Sequence, residues 1–106
     1  MADFTMYSGD SKTLTIAIRD EAGDPVDVST ATSIIYAIVK TDGTRVATKT
    51  LGAGVTVATS TVTVTLVPAD TAGLAGTYGH ELEITLLSGA VSTALHGEMA
   101  IVRDYI

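Results

Sequence analysis

From Gly73 to Leu86 the chain reads GLAGTYGHELEITL. A glycine-rich corner opens the stretch. After it, every second residue (Tyr78, His80, Leu82, Ile84 and Leu86) falls on one side of an extended backbone. Side chains repeat with period two only in a strand, so this is a half-buried strand and not an amphipathic helix. Ser88-Gly89 then reads as a hairpin turn. Counting back through a two-residue loop sets Leu86 opposite Val91, Ile84 opposite Thr93, Leu82 opposite Leu95, His80 opposite Gly97 and Tyr78 opposite Met99. The outward set pairs Glu83 with Ala94 and Glu81 with His96, and the return strand is expected to reach about Arg103. Apart from His80 and Thr93, the inward face is apolar or small. Such a face needs a second layer over it.

The rest of the chain supplies that layer in short strands. Residues 2–8 read as an edge-like strand with Phe4 and Met6 on one face. Residues 12–19, KTLTIAIR, alternate with Leu14, Ile16 and Ile18 inward. DEAGDP (20–25) is a loop, and Val26 and Val28 pin a short extended piece before a turn at 29–31. Residues 33–40, SIIYAIVK, are apolar on both faces: Ile34, Tyr36 and Ile38 on one, Ile35, Ala37 and Val39 on the other. Asp42-Gly43 is a hairpin signal. A two-residue loop there sets Val39 against Val46 and Lys40 against Arg45, a like-charge pair that favours a bulged register instead. Residues 45–50 return. Residues 55–58 and 61–67 form a hairpin about Thr59-Ser60, pairing Val57 with Val62 and Val55 with Val64. Pro68 ends that strand, a helical turn is expected at 69–72, and Leu74 plugs the corner. Strands this short, spaced 8 to 12 residues apart, indicate one sandwich or barrel domain over residues 1–106.

Composition removes several functions. The chain has no cysteine, hence no disulfide and no thiolate metal site. Lys and Arg number 6 against 12 Asp and Glu, a net charge of −6 with no basic cluster. Nucleic acid, which demands phosphate neutralisation, is not an expected partner. No apolar run approaches the roughly 20 residues of a membrane helix. The N-terminus lacks the basic and apolar regions of a secretion signal. A soluble chain without a membrane partner is expected.

No catalytic constellation emerges, and neither a cofactor nor a metal is expected. Tyr78, after Leu-Ala-Gly-Thr, matches the tyrosine corner of immunoglobulin-like sandwiches, with its hydroxyl bonded back to nearby backbone. His80 reads as a core histidine given room by Gly97; no second histidine shares its face, so a ligand or base set is incomplete. Glu81, Glu83 and Glu98 form an exposed face, with Glu81 and His96 a surface pair. Asp20, Glu21, Asp24 and Asp27 crowd one loop and leave calcium as an alternative. The outward row Ile35, Ala37 and Val39 needs a cover. It comes either from the chain's own N-terminal segment or from a neighbouring subunit.

Three longer passages carry a resemblance. They are SGDSKTLTIAIRDEAGDPVDVSTATSIIYAIVKTDGT, TVTVTLVPADTAGLAGTYGHELEI and LHGEMAIVRD. Together they resemble the immunoglobulin-like domain at the N-terminus of phage baseplate upper proteins and related phage structural proteins. The resemblance implies an all-β, immunoglobulin-like antiparallel β-sandwich of about seven to nine strands. It also implies a non-enzymatic role in the virion (tail, baseplate, neck or capsid-associated), docked to other virion proteins and to copies of itself. Family members continue into further domains, whereas this chain ends at Ile106, which shifts the expectation toward a small neck, tail or capsid-decorating protein. The expected contact residues are Phe4, Met6, Tyr7, Ile35, Ala37 and Val39, with the N-terminal segment available for strand addition. Leu74, Tyr78 and His80 are expected to be structural. The alternative function is an adhesion or ligand-binding sandwich module, calcium-dependent through the Asp20–Asp27 loop.

Overall fold

A computed structural model describes residues 3–103. Eight strands and one helical turn follow in the order β1 (Phe4–Tyr7), β2 (Lys12–Ala17), β3 (Ser33–Val39), β4 (Arg45–Leu51), β5 (Gly54–Ala58), β6 (Thr61–Leu66), α1 (Pro68–Thr71), β7 (Gly76–Thr85) and β8 (Val91–Val102). The hydrogen-bonded order is β1-β8-β7-β3-β4-β5-β6-β2. Only Thr50–Gly54 and Leu51–Val55 join β4 to β5, in parallel register around Gly52. At that corner the ladder folds over, so β5, β6 and β2 face β3, β7 and β8.

The alternation seen in the sequence builds the core between these layers. Ile34, Tyr36, Ile38, Val55, Val62, Val64, Leu66, Leu82, Ile84, Met99 and Ile101 are all buried. The β5–β6 register is the expected one, Val57 with Val62 and Val55 with Val64. Its two-residue loop holds Thr59 at φ 52°. The Thr59 and Ser60 carbonyls accept from the Val28 and Ile18 amides, tying the loop to the segment that follows β2. Pro68 opens α1, where its missing N–H costs nothing. Asp70 accepts from the Val67 amide at 2.7 Å and pairs with Lys49 at 2.9 Å.

The Ser88-Gly89 register differs from expectation, and the Asp42-Gly43 hairpin takes the bulged register that avoids the Lys40–Arg45 pair. The expected Ser88-Gly89 loop has three residues: the Leu86 amide donates to Ala90 O and the Gly89 amide to Leu86 O, each at 2.8 Å. Near the turn, Thr85 therefore meets Val91 and Ile84 meets Ser92. A bulge at Ala94 restores the expected register from Leu82–Leu95 onward. The Asp42-Gly43 loop repeats this design, with Lys40 N to Thr44 O and Gly43 N to Lys40 O. Val39 then faces Arg45, Ile38 faces Ala47, and Val46 is the bulged residue. Asp20 N to Asp24 O and Gly23 N to Asp20 O make a third copy. Each places glycine at φ between 86° and 93°, the left-handed position this turn requires.

β1 forms an edge, pairing with β8 in parallel from Phe4–Met99 to Tyr7–Val102. Ala2, part of the expected first strand, lies outside the described residues. β8 ends at Val102.

Candidate functional site

His80 is the one buried histidine, 2% exposed, and it faces Gly97 as the pattern predicts. The sequence reading left it without partners; the structure gives it two. Its Nε2 lies 2.8 Å from the Asp3 carboxylate and its Nδ1 2.9 Å from the Tyr36 hydroxyl. A carboxylate only accepts, so Nε2 carries a proton, and in the neutral imidazole the Tyr36 hydroxyl donates to Nδ1. Gly97 makes the first bond possible: a Cβ there would collide with the Asp3 carboxylate. Phe4 packs edge-on to the imidazole at 5.4 Å, and Lys12 lies 5.4 Å from the Phe4 ring centroid. Burial, then the Asp3 charge, pushes the Tyr36 phenol well above its ordinary value. The chain Asp3–His80–Tyr36 thus runs from the open seam between β1 and β2 into the core. Its hydrogen bonds tie β7 to β3 and to the residue that precedes β1.

Among the described residues no buried side-chain nitrogen or oxygen lacks a hydrogen-bond partner. Thr71, fully buried, accepts from the Gly9 amide at 2.9 Å. The Tyr78 hydroxyl donates to Ala75 O at 3.3 Å, the expected corner bond, and Leu74 packs against the core beside it. The acidic loop behaves similarly. Asp20 accepts from the Ala22 and Asp24 amides, and Asp27 from the Ser29 amide and hydroxyl. The Ser29 bonds hold the Asp27 carboxyl below its usual value; the Thr44 amide does the same for Asp42. Among the described residues no three His, Asp or Glu side chains converge as a metal site needs. His96 and Glu81 pair on the surface at 3.3 Å, as expected.

The expected contact residues divide. Met6 is core and Phe4 is half-buried against it, while Tyr7 is 55% exposed. Ala37 is only 5% exposed, with Ile35 and Val39 half-buried. β3 is a central strand, so Thr50, Thr48 and Arg45 flank this row on one side and Glu83, Glu81 and Gly79 on the other. The chain's own side chains therefore cover most of it, and the N-terminal segment, seated on β8, does not.

Among the described residues, six large apolar side chains are exposed: Leu51 and Val67, and four that lie at the two ends, or poles, of the long β7–β8 ladder. At one pole the paired Tyr7 and Val102 are 55% and 41% exposed. At the other, Leu87 and Val91 at the β7–β8 hairpin are 72% and 62% exposed. Beside them, between that hairpin and the 19–26 loop, lies a slot of about 360 Å³. Ile18, Val26, Val28, Ile84 and Leu86 floor it, the bulged Ala94 lines one wall, and Arg19, Asp20 and Glu21 stand at its rim. The sequence hid this slot, because it arises from the three-residue loop and the bulge.

No protein-family model matches the chain, and neither does any curated protein sequence. Solved structures do resemble it. CopC from Methylosinus trichosporium OB3b is similar with a TM-score of 0.56 at 13% identity, over 96% of this chain and 86% of that one. The V domain of amphioxus IgVJ-C2 aligns with a TM-score of 0.35 at 14% identity, over 92% and 98%. The CopC likeness is one of fold alone. Strand content, order and core agree with the expected all-β, immunoglobulin-like sandwich.

Proposed function

We propose that the protein is a non-enzymatic structural component of a phage virion, held there by contacts with other virion proteins and with copies of itself. The virion assignment rests on the resemblance of the quoted passages to phage immunoglobulin-like domains. The single observation that supports a contact role is the bipolar placement of open apolar side chains: Tyr7 and Val102 at one pole, Leu87 and Val91 at the other. Adjacent exposed apolar residues are the material of protein interfaces. The polar groups are engaged otherwise: His80, Tyr36 and Asp3 clasp strands, and the loop aspartates cap their own turns. Relative to the sequence reading, the contact surface moves from the β3 row to the poles.

Mass spectrometry of purified particles, produced by the strain carrying the gene, tests this. The expected result is the protein in a fixed ratio to the major virion proteins. Particles that lack it, with the protein free in the lysate, overturn the reading.

A further inference from the structure

The three loops of shared design differ in the residue before their left-handed glycine. Ala22 precedes Gly23 and Ser88 precedes Gly89, but Asp42 precedes Gly43, the one Asp-Gly pair in the sequence. That pair carries a chemistry of its own. The Gly43 amide nitrogen can attack the Asp42 side-chain carboxyl. A new N–Cγ bond forms, the amide proton and the carboxyl hydroxyl leave as one water, and the ring closes to a succinimide. Water reopens the ring at either carbonyl. Opening at Cγ restores aspartate. Opening at the main-chain carbonyl leaves Gly43 joined through the side chain, an isoaspartate with one extra methylene in the backbone. A side chain on the following residue hinders the attack, and glycine has none. The loop cannot exchange that glycine without strain, because its φ is 89°. We infer that Asp42-Gly43 is a latent isoaspartate site that the folded β3–β4 loop holds shut, so that conversion there counts openings of this hairpin. The inference is independent of the virion reading.

Burial does not guard the pair, since residues 40–44 are all exposed. Hydrogen bonds do. The Gly43 amide, which has to lose its proton to attack, donates to Lys40 O at 2.9 Å. The Asp42 carboxylate, which has to turn toward that nitrogen, accepts from the Thr44 amide at 2.9 Å. The same bond holds the carboxyl below its usual value, which depletes the neutral acid, the form that can lose its hydroxyl. Lys40 N to Thr44 O, at 2.8 Å, clamps the loop as a whole. Breaking three such bonds is expected to slow conversion about tenfold or more. Between Arg45 and Lys49 strand β4 pairs with β3 alone, so opening from the hairpin tip breaks no second ladder. Local opening of this kind needs less than global unfolding.

The folded chain, the same chain unfolded in urea and a synthetic peptide of residues 38–47 would be held for weeks in warm neutral buffer. Trypsin, cutting after Lys40 and Arg45, then releases residues 41–45. Chromatography with electron-transfer fragmentation separates isoaspartate from aspartate, which have equal mass. The chain has no asparagine, so no deamidation product obscures the count. The expected result is similar conversion in peptide and unfolded chain, and conversion about tenfold or more slower in the folded chain. Thr44→Pro removes the amide that Asp42 accepts from, and is expected to convert faster than the parent while far-UV circular dichroism remains that of a folded sandwich. Equal rates in folded chain and peptide overturn the inference, as does a peptide that forms no isoaspartate. A folded Thr44→Pro chain that converts at the parent's rate overturns it too. If that variant fails to fold, the comparison of folded with unfolded parent decides.

Discussion

Gly97→Ala adds one methyl group at the place where Asp3 reaches His80. Gly97 has ordinary extended backbone, so alanine is tolerated there, and losing a glycine stabilises a strand by about 0.5–1 kcal/mol. The new Cβ, however, would overlap the Asp3 carboxylate oxygen and sit 3.0 Å from its Cγ. Asp3 must swing away, and the buried His80 Nε2–H loses its acceptor. An orphaned buried donor costs about 1–3 kcal/mol. The Asp3 side chain is about half exposed (48%), so solvent screens the bond and the lower half of that range applies. The net expectation is a loss of about 1 kcal/mol, or roughly 4–8 °C in Tm for a domain of this size. Urea and thermal unfolding followed by far-UV circular dichroism read it; the chain has no Trp to report by fluorescence. The decisive comparison is a double-mutant cycle. In an Asp3→Ala background the obstruction is gone, so Gly97→Ala should become neutral or stabilising. Equal destabilisation in both backgrounds refutes the clasp.

Three further outcomes follow from the same polar groups. Tyr36→Phe removes the donor to His80 Nδ1 and should cost about 1–2 kcal/mol at neutral pH, measured by urea unfolding. Because the folded-state pKa of Tyr36 is raised, its stabilising contribution is full below the ordinary phenol value of about 10 and declines as pH rises beyond it. The phenylalanine variant should therefore lose less stability than the parent on going above about pH 10. Asp27 and Asp42 have lowered folded-state values, so their contribution is present above the ordinary carboxylate range and fades as pH falls through and below it. The Asp27→Ala/Asp42→Ala double variant should show a shallower acid limb in a pH series of thermal melts. Thr71→Val keeps the shape but leaves the Gly9 amide without its acceptor, and should cost about 1 kcal/mol in the same assay.

Strand placement was legible wherever one face alternates against a core. Leu82, Ile84 and Tyr78, or Val55 and Val64, declare their side by period two, and burial follows. The register of the Thr59-Ser60 loop was legible because two valine pairs agree only for a two-residue turn. The Ser88-Gly89 loop was misread by one residue, since a Gly in the left-handed position closes a three-residue loop as readily as it sits in a two-residue one. That slip concealed the bulge at Ala94 and, with it, the slot. The Asp3–His80–Tyr36 clasp lies across 77 and 44 residues of sequence, and no local pattern announces such a contact. Gly97 opposite an inward histidine was the available signal: room was being left for something besides the imidazole. The cover of the β3 row was not legible, because apolarity on both faces does not say whether a central strand's own neighbours suffice to cover it.

The contact role is tested most directly by thiol labelling, since the chain contains no cysteine of its own. Leu87→Cys, Tyr7→Cys and, as an exposed control on β5, Thr56→Cys would each be reacted with a maleimide, first as free protein and then in intact particles. The account predicts fast labelling of all three when free at low concentration. In particles it predicts strong protection at positions 87 and 7, with position 56 still reactive. Undiminished labelling of both polar positions in the particle would contradict it.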